Sequence, residues 1–267
     1  MKTILITGAT DGIGLETAQI LAGLGHNLVI HGRNADKLKK THKLLLEIAP
    51  NIEIDTYKAD LSDFYQVAQL VDNIKKCHQP LDIIINNAGV FKTDKPVSGV
   101  GVDVRFVVNT ISPFIITKGL LPVLKDNGRI INLSSAAQAP VNLEAMRGSL
   151  TIADDFQAYA QSKLAITIWS QELARELKTD QVVLAVNPGS LLASKMVKEG
   201  FGLAGNDIGI GAEILVKASL SDKFAESSGR YFDNDSKTFS VPHVDAANSE
   251  KNKALMTILE SFYTQFG

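Results

Sequence analysis

The sequence predicts an α/β protein built on a doubly wound parallel sheet with helices on both faces. Short apolar, β-branched runs recur at 3–7, 27–31, 52–57, 82–86, 129–133 and 181–186, and longer segments with helical apolar spacing separate them. Strand–helix–strand connections are right-handed, so successive strands lie parallel and ligands gather at their carboxyl ends. The 267 residues are 45% hydrophobic and 21% charged, enough to bury one large core. No low-complexity linker or internal repeat divides them, and residues 1–267 are expected to form a single domain.

The same composition excludes several function classes. A net charge of -2, without basic runs, argues against a nucleic-acid partner. Cys77 is the only cysteine, so no intrachain disulfide forms; no Cys/His cluster has metal-ligand spacing, and a reducing cytoplasm is the expected compartment. The opening MKTILITGAT runs into a glycine turn without a cleavage site and reads as a strand. No stretch approaches the ~18 uninterrupted apolar residues of a membrane span, so a soluble protein is expected.

The first strand runs straight into TGATDGIG and then into the helical spacing of LETAQILAGLG. Gly8, Gly12 and Gly14 let the chain bend tightly and let backbone approach a phosphate, while the N–H groups and positive dipole of the new helix face the anion. A tight strand–helix turn would need glycine too, but this context is the one a dinucleotide pyrophosphate requires, and it makes the fold Rossmann-type. The second strand, NLVIH, ends in Gly32, Arg33 and Asn34, where an NAD site would place an acid for the ribose hydroxyl. Arg33 offers instead a planar cation suited to the 2′-phosphate of NADP(H), unless it is an ordinary solvated arginine. The third strand leads to Ala59-Asp60-Leu61, where Asp60 can accept from an adenine amino group or cap a helix. The fourth leads to Asn86, Asn87, Ala88 and Gly89, whose amides can join neighbouring strands and whose small residues leave room for a flat ring.

The fifth strand ends RIINLSS, placing Ser134 and Ser135 at its carboxyl end, and DFQAYAQSKLAITIWSQELAREL then reads as a long helix. Tyr159 and Lys163 lie four apart and share a face, near enough for an ammonium to act on a phenol. A phenol with pKa near ~10 serves as a base only if nearby positive charge stabilises its phenolate. Lys163 and an oxidised nicotinamide would supply that charge, and a serine hydroxyl would orient the substrate oxygen. In many helices such a pair merely packs a ring and solvates an amine; here a strand-end serine and a nucleotide turn accompany it.

These motifs, TGATDGIG, NNAG, VVNT, INLSS, YAQSK and VNPG in that order over roughly residues 3–190, resemble the short-chain dehydrogenase/reductase family. The serine-to-tyrosine spacing, QELAREL and SGRYFDNDS are most similar to its retinol-dehydrogenase group. The resemblance implies that Tyr159 is the acid/base, that Lys163 lowers its pKa and binds ribose, that Ser135 polarises the substrate oxygen and that Asn109 holds a relay water. It implies a cofactor site drawn from Gly8, Thr10, Asp11, Gly12, Ile13, Gly14, Arg33, Asn34, Asp60, Leu61, Asn87, Ala88, Gly89, Tyr159, Lys163, Pro188 and Gly189. Two departures stand out: Asp11 occupies a position that is often basic in NADP-preferring members, and Ser190 and Ser194 follow VNPG where a threonine is common.

Residues 136–154 and 187–211 are candidate substrate-side loops. Leu191, Leu192, Met196, Val197, Phe201 and Leu203 make an apolar substrate the expectation, and the glycines from Gly200 to Gly211 suggest a closing loop. The family resemblance further implies a homodimer or homotetramer paired through helices at about 103–125 and 155–178. A nucleotide-responsive sensor on the same fold is the alternative function, and a sugar-nucleotide epimerase or dehydratase a third, although 267 residues leave little room for its substrate domain.

Overall fold

The computed structural model describes residues 1–190, 192 and 205–267. Six strands form where the apolar runs fall: β1 (Thr3–Ile6), β2 (Asn27–Gly32), β3 (Ile54–Lys58), β4 (Leu81–Asn86), β5 (Leu124–Leu133) and β6 (Val182–Asn187). Two further strands, β7 (Tyr231–Asp233) and β8 (Thr238–Ser240), extend the sheet. Its order is β3-β2-β1-β4-β5-β6-β7-β8, parallel throughout except for the β7–β8 hairpin. The chain leaves β1 toward β2 and β3 and returns to β4 on the other side, so the strand order reverses between β1 and β4. A dinucleotide fits such a crevice.

Helices begin where side chains cap them. Asp11 accepts from the Gly12 N–H at α1 (Gly12–Gly23), Asn34 from Lys37 at α2 (Ala35–Ile48), and Asp63 from Tyr65 and Gln66 at α3 (Phe64–Cys77). A short α4 (Val104–Phe106), a π turn (Val107–Ile111) and α5 (Ser112–Leu120) make one continuous helical run. The expected loop 136–154 contains a one-turn α6 (Leu143–Arg147), closed by Gly148 at φ 86. Then follow α7 (Asp155–Leu173), capped by Asp154, α8 (Gly209–Leu220) and α9 (Ser249–Phe266).

Alternation along each strand divides the core into two layers. Leu5, Ile84, Ile130 and Val183 face α3, α5, α7 and α9, whereas Ile4, Ile6, Ile83, Ile85, Leu184 and Val186 face α1, α2 and α8. The segment Val104–Val123 has the length and average apolarity of a bilayer-crossing helix, but it is largely buried within the first layer. Its apolarity is that of a core helix.

One expectation meets an obstacle in this layer. The helices at 103–125 and 155–178 were expected to pair two copies, yet α5 is buried except for Lys118, and every residue of 162–170 in α7 is buried. The chain's own C-terminal helix covers them. Leu255, Ile258 and Leu259 of α9 are at most 3% exposed, Lys118 pairs with Glu260 at 3.0 Å, and Phe64 meets Phe262 and Phe266 at centroid separations of 5.5 and 4.9 Å. Pairing through these faces would require α9 to leave a site that buries about 1.5–3 kcal/mol for each large apolar side chain. Contact between copies through these two faces is therefore not expected, and cross-linking that joins α5 or α7 of two copies would contradict this.

Candidate active site

The glycine turn is built against the end of β4. Asn87 donates through Nδ2 to the Thr7 and Gly8 carbonyls at 2.9 and 3.1 Å, and the backbone N–H groups of Asn87 and Ala88 donate to Thr7 Oγ1, each at 3.1 Å. A side chain at residue 14 would have its Cβ 2.3 Å from both Asn87 Nδ2 and the Gly8 oxygen, so only glycine lets α1 approach this closely. Gly8 and Gly12 sit at φ 67 and 56, where glycine is favoured. The first-turn N–H groups of α1, around Ile13 and Gly14, lack helical partners by geometry and face the carboxyl edge of the sheet. This cradle fits a dinucleotide pyrophosphate.

Several expected contact residues also serve the scaffold. Asn87 ties strands together, Asn34 caps α2, and Asp11 both caps α1 and pairs with Lys37 at 2.6 Å. Asp60 does not cap α3, a position Asp63 holds; its carboxylate accepts from the N–H and hydroxyl of Ser62 at 2.9 and 2.7 Å. Leu61 is buried, and Thr10 lies so close to Gly32 that a Cβ there would be 2.6 Å from its methyl. Arg33 is exposed at the end of β2, and among the described residues it forms no ion pair. His31, which the sequence did not single out, links the turn to β3: the Gly8 N–H donates to its Nδ1 at 3.3 Å, and Nε2 lies 3.0 Å from the Ala59 carbonyl. Burial lowers its pKa, so the neutral ring donates from Nε2.

At the end of β5 the two serines separate by role. Ser134 is buried, with its hydroxyl 2.6 Å from Thr167 Oγ1 and donating to the Lys163 carbonyl at 3.1 Å. Ser135 is half-buried; its hydroxyl accepts from the Ala137 N–H at 3.1 Å and sits close enough to the Tyr159 phenol to act on its pKa. The geometry thus brings Ser135 and not Ser134 to the tyrosine. Lys163 places Nζ 5.6 Å from the Tyr159 ring centroid and donates to the Leu133 carbonyl at 2.8 Å.

Asn109 lies in the π turn, with its amide already engaged. It donates to the Val90 carbonyl at 2.9 Å and to Ser162 Oγ at 3.0 Å, and accepts from the Val90 N–H at 2.8 Å. Ser162 in turn donates to the Tyr159 carbonyl at 2.6 Å. A continuous path of bonds and short sequence steps thus runs from Gly8 through Asn87, Val90, Asn109 and Ser162 to Tyr159. Phe91 packs edge-on against Tyr159 at 5.2 Å. Phe91 was not anticipated, because only tertiary contact identifies it; Ser162 lay inside YAQSK, where attention falls on the tyrosine and lysine.

After β6, Pro188 is buried and Gly189 turns at φ 120. Ser190 donates its hydroxyl to Asp235 at 2.5 Å and its N–H to the same carboxylate at 2.8 Å, so that hydroxyl is already committed. Leu192 is buried, whereas Leu191, Ser194, Met196, Val197, Phe201 and Leu203 lie outside the described residues. A cavity of about 280 Å³ lies at the opposite edge of the sheet, lined by Thr3, Asp82 and Lys125 among others. It contains none of the residues above.

The family model for short chain dehydrogenases matches residues 2–201. The chain belongs to the short-chain dehydrogenase family. It is 32% identical over 253 residues to short-chain dehydrogenase TIC 32 A, chloroplastic, of Brassica napus, covering 86% of this chain and 79% of that one. It is 30% identical over 251 residues to human retinol dehydrogenase 13, covering 87% and 76%. Among solved structures, a short-chain dehydrogenase from Shigella flexneri complexed with NADP superposes with a TM-score of 0.70 at 27% identity, covering 88% and 97%.

Burial sets the electrostatics of the pair. It raises the Tyr159 pKa, with the Ser135 side chain acting the other way, and it pushes Lys163 down to about 7. In the ligand-free protein the phenol is therefore neutral at pH 7, and the amine titrates near neutrality. The unfolded chain keeps a lysine protonated to about 10.4, so between about pH 7 and 10 the unfolded state binds the extra proton and stability gains with rising pH. Urea midpoints measured across that range are expected to rise more in the wild type than in Lys163→Met. Parallel profiles for the two proteins would contradict the depressed amine.

Proposed function

We propose that the protein interconverts an alcohol and a carbonyl compound with NADP(H). The observation that carries this is the Tyr159 phenol near Ser135, with the Lys163 amine 5.6 Å from its ring centroid, at the carboxyl edge of a sheet whose first helix opens on a glycine cradle. Bound across that edge, the nicotinamide supplies or accepts the hydride. In the carbonyl direction the Ser135 hydroxyl donates to the substrate oxygen, and Tyr159, neutral at pH 7, transfers its proton to that oxygen as negative charge develops. In the alcohol direction Tyr159 must be deprotonated. Ribose hydroxyls at Lys163 would restore hydrogen-bonding partners to the buried amine and favour its ammonium form, which in turn favours the phenolate. A sensor has no need of a phenol held between a serine and an amine, so the arrangement favours the enzyme.

NADP(H) is favoured over NAD(H) by Arg33, exposed and free of ion pairs among the described residues at the end of β2, where no acid follows the strand. Asp11, salt-bridged to Lys37, is a weaker counterweight because its charge is already compensated. An apolar substrate is supported by Phe91 against Tyr159 and by the exposed apolar side chains Val97, Val100 and Leu150 on the loops 87–103 and 148–154 and Phe156 on the first turn of α7. Those loops pack together: a Cβ at Gly148 would lie 2.9 Å from the Gly101 oxygen.

Oxidation of NADPH and of NADH with a panel of apolar aldehydes, including decanal, benzaldehyde and retinal, tests this proposal. Turnover with NADPH is expected to exceed that with NADH, and Arg33→Ala is expected to weaken NADPH binding by about 10–100-fold, the scale of losing a paired cation–phosphate contact, while leaving NADH within about twofold. An equal effect on both cofactors would remove the 2′-phosphate argument. No turnover with any carbonyl, despite NADPH binding, would favour the sensor.

A further inference from the structure

Outside the residues that handle proton and cofactor, the most deeply buried charge among the described residues is Arg105, 1% exposed on α4. Its Nε and NH2 donate to the two carboxylate oxygens of Asp103 at 2.8 and 2.6 Å, and its NH1 donates to Asp155, on the first turn of α7. Asp103 is buried with it, whereas the Asp155 side chain is 43% exposed. Burial opposes the guanidinium charge, but the bonds and charges of both carboxylates outweigh it and hold its pKa above the usual value.

Such a triad is a weak source of stability, since apolar side chains of similar volume would pack there without desolvating three charges. What a planar fork adds is register, because it fixes two acceptors in definite directions. The register here is that of the catalytic helix. Arg105 precedes Asn109 by four residues and Asp155 precedes Tyr159 by four, so their bond joins the two helices one turn before the reacting residues. On the far side, Ser162 joins them again, accepting from Asn109 Nδ2 at 3.0 Å through Oγ and from Thr110 Oγ1 at 2.8 Å through its carbonyl. Tyr159 is thus held between two ties.

We infer that Arg105 is a positioning residue, which through Asp155 fixes α7 so that the Tyr159 hydroxyl meets Ser135 and the substrate oxygen. This rests on the assignment of Tyr159 as acid/base. Because a displacement of about 1 Å can cost as much as about 100-fold in rate, the tie should be visible in turnover more than in binding.

The test uses the full chain with NADPH and the fastest aldehyde of the panel. Asp155→Ala, at the partly exposed end of the triad, leaves the Arg105–Asp103 pair intact. It is expected to lower kcat by about tenfold or more, with KM and the NADPH Kd within about threefold. Asp155→Asn still accepts from Arg105 and is expected to recover most of the loss. Arg105→Lys, which keeps a charge but cannot fork to both carboxylates, is expected to match Asp155→Ala. In a Tyr159→Phe background, Asp155→Ala should cost little more, since the two act through one proton transfer. Wild-type kcat in Asp155→Ala, with Tyr159→Phe inactive, would overturn the inference and leave the tyrosine assignment standing. Loss of NADPH binding together with turnover, or an equal further loss in the Tyr159→Phe background, would mark a general scaffold contact and overturn it as well. Wild-type turnover in Tyr159→Phe would instead remove the assignment on which the inference rests.

Discussion

The site depends on a reciprocal clamp between α7 and the end of β5. Lys163 reaches down to the Leu133 carbonyl, and the next residue, Ser134, reaches up to the Lys163 carbonyl. The helix cannot slide along the strand without breaking both bonds in a region closed to water, where an unmade hydrogen bond costs about 1–3 kcal/mol. This fixes the height of Tyr159 over the sheet and presents Ser135 to it. The clamp also commits Lys163: its long apolar stem is spent in the core, its amine reaches the Leu133 carbonyl, and burial away from water lowers its pKa.

From that point the rest of the architecture can be ordered by what it restrains. The amide groups of Asn86, Asn87 and Asn132 stitch the strand ends: Asn86 Nδ2 donates to Asn132 Oδ1 at 2.8 Å, and Asn132 Nδ2 continues to Ser170 of α7 at 2.8 Å. The π turn lets one helical run do two jobs, packing Phe106 and Phe114 into the core while turning Asn109 toward Val90 and Ser162. Behind both helices, α9 supplies the apolar cover that the sheet supplies in front. Asn252 of α9 donates to Glu172 of α7 at 3.1 Å, so the cover is anchored by polar as well as apolar contacts.

Much of this was legible in the sequence, for identifiable reasons. Parallel strands buried on both faces read as near-continuous apolar runs, and β1, β2, β4, β6 and the second half of β5 announced themselves so. The half-exposed edge strand β3 showed a shorter apolar pattern. The last two, YFD and TFS, are three residues each and carry no run to detect. The polar stretch KDNG gave no sign that β5 begins at Leu124, where pairing to Leu81 starts it early. Within the site, the glycines, Tyr159 and Lys163 could be named because turn geometry and helical spacing constrain residue type, whereas Ser135 was distinguished from Ser134 only by the family resemblance. Arg105, Asp155, Phe91 and Ser162 could not, because their contacts are made 50 or more residues away in sequence or across a packed face. The covering of α5 by α9 was hidden for the same reason: an apolar helix face looks alike whether it meets its own chain or a second copy.

The central claim is that a proton passes through the Tyr159 hydroxyl. The most direct measurement is the pH dependence of alcohol oxidation by wild type and by Tyr159→Phe, with NADPH binding followed in parallel. The account expects the wild-type rate to rise with pH through an apparent pKa below the ~10 of free tyrosine, once cofactor and the Lys163 ammonium are in place. It expects Tyr159→Phe to bind NADPH normally, to lose about 10²–10⁴-fold in turnover and to lack that rising limb. A folded, cofactor-binding Tyr159→Phe that keeps both its turnover and its pH limb would contradict the account.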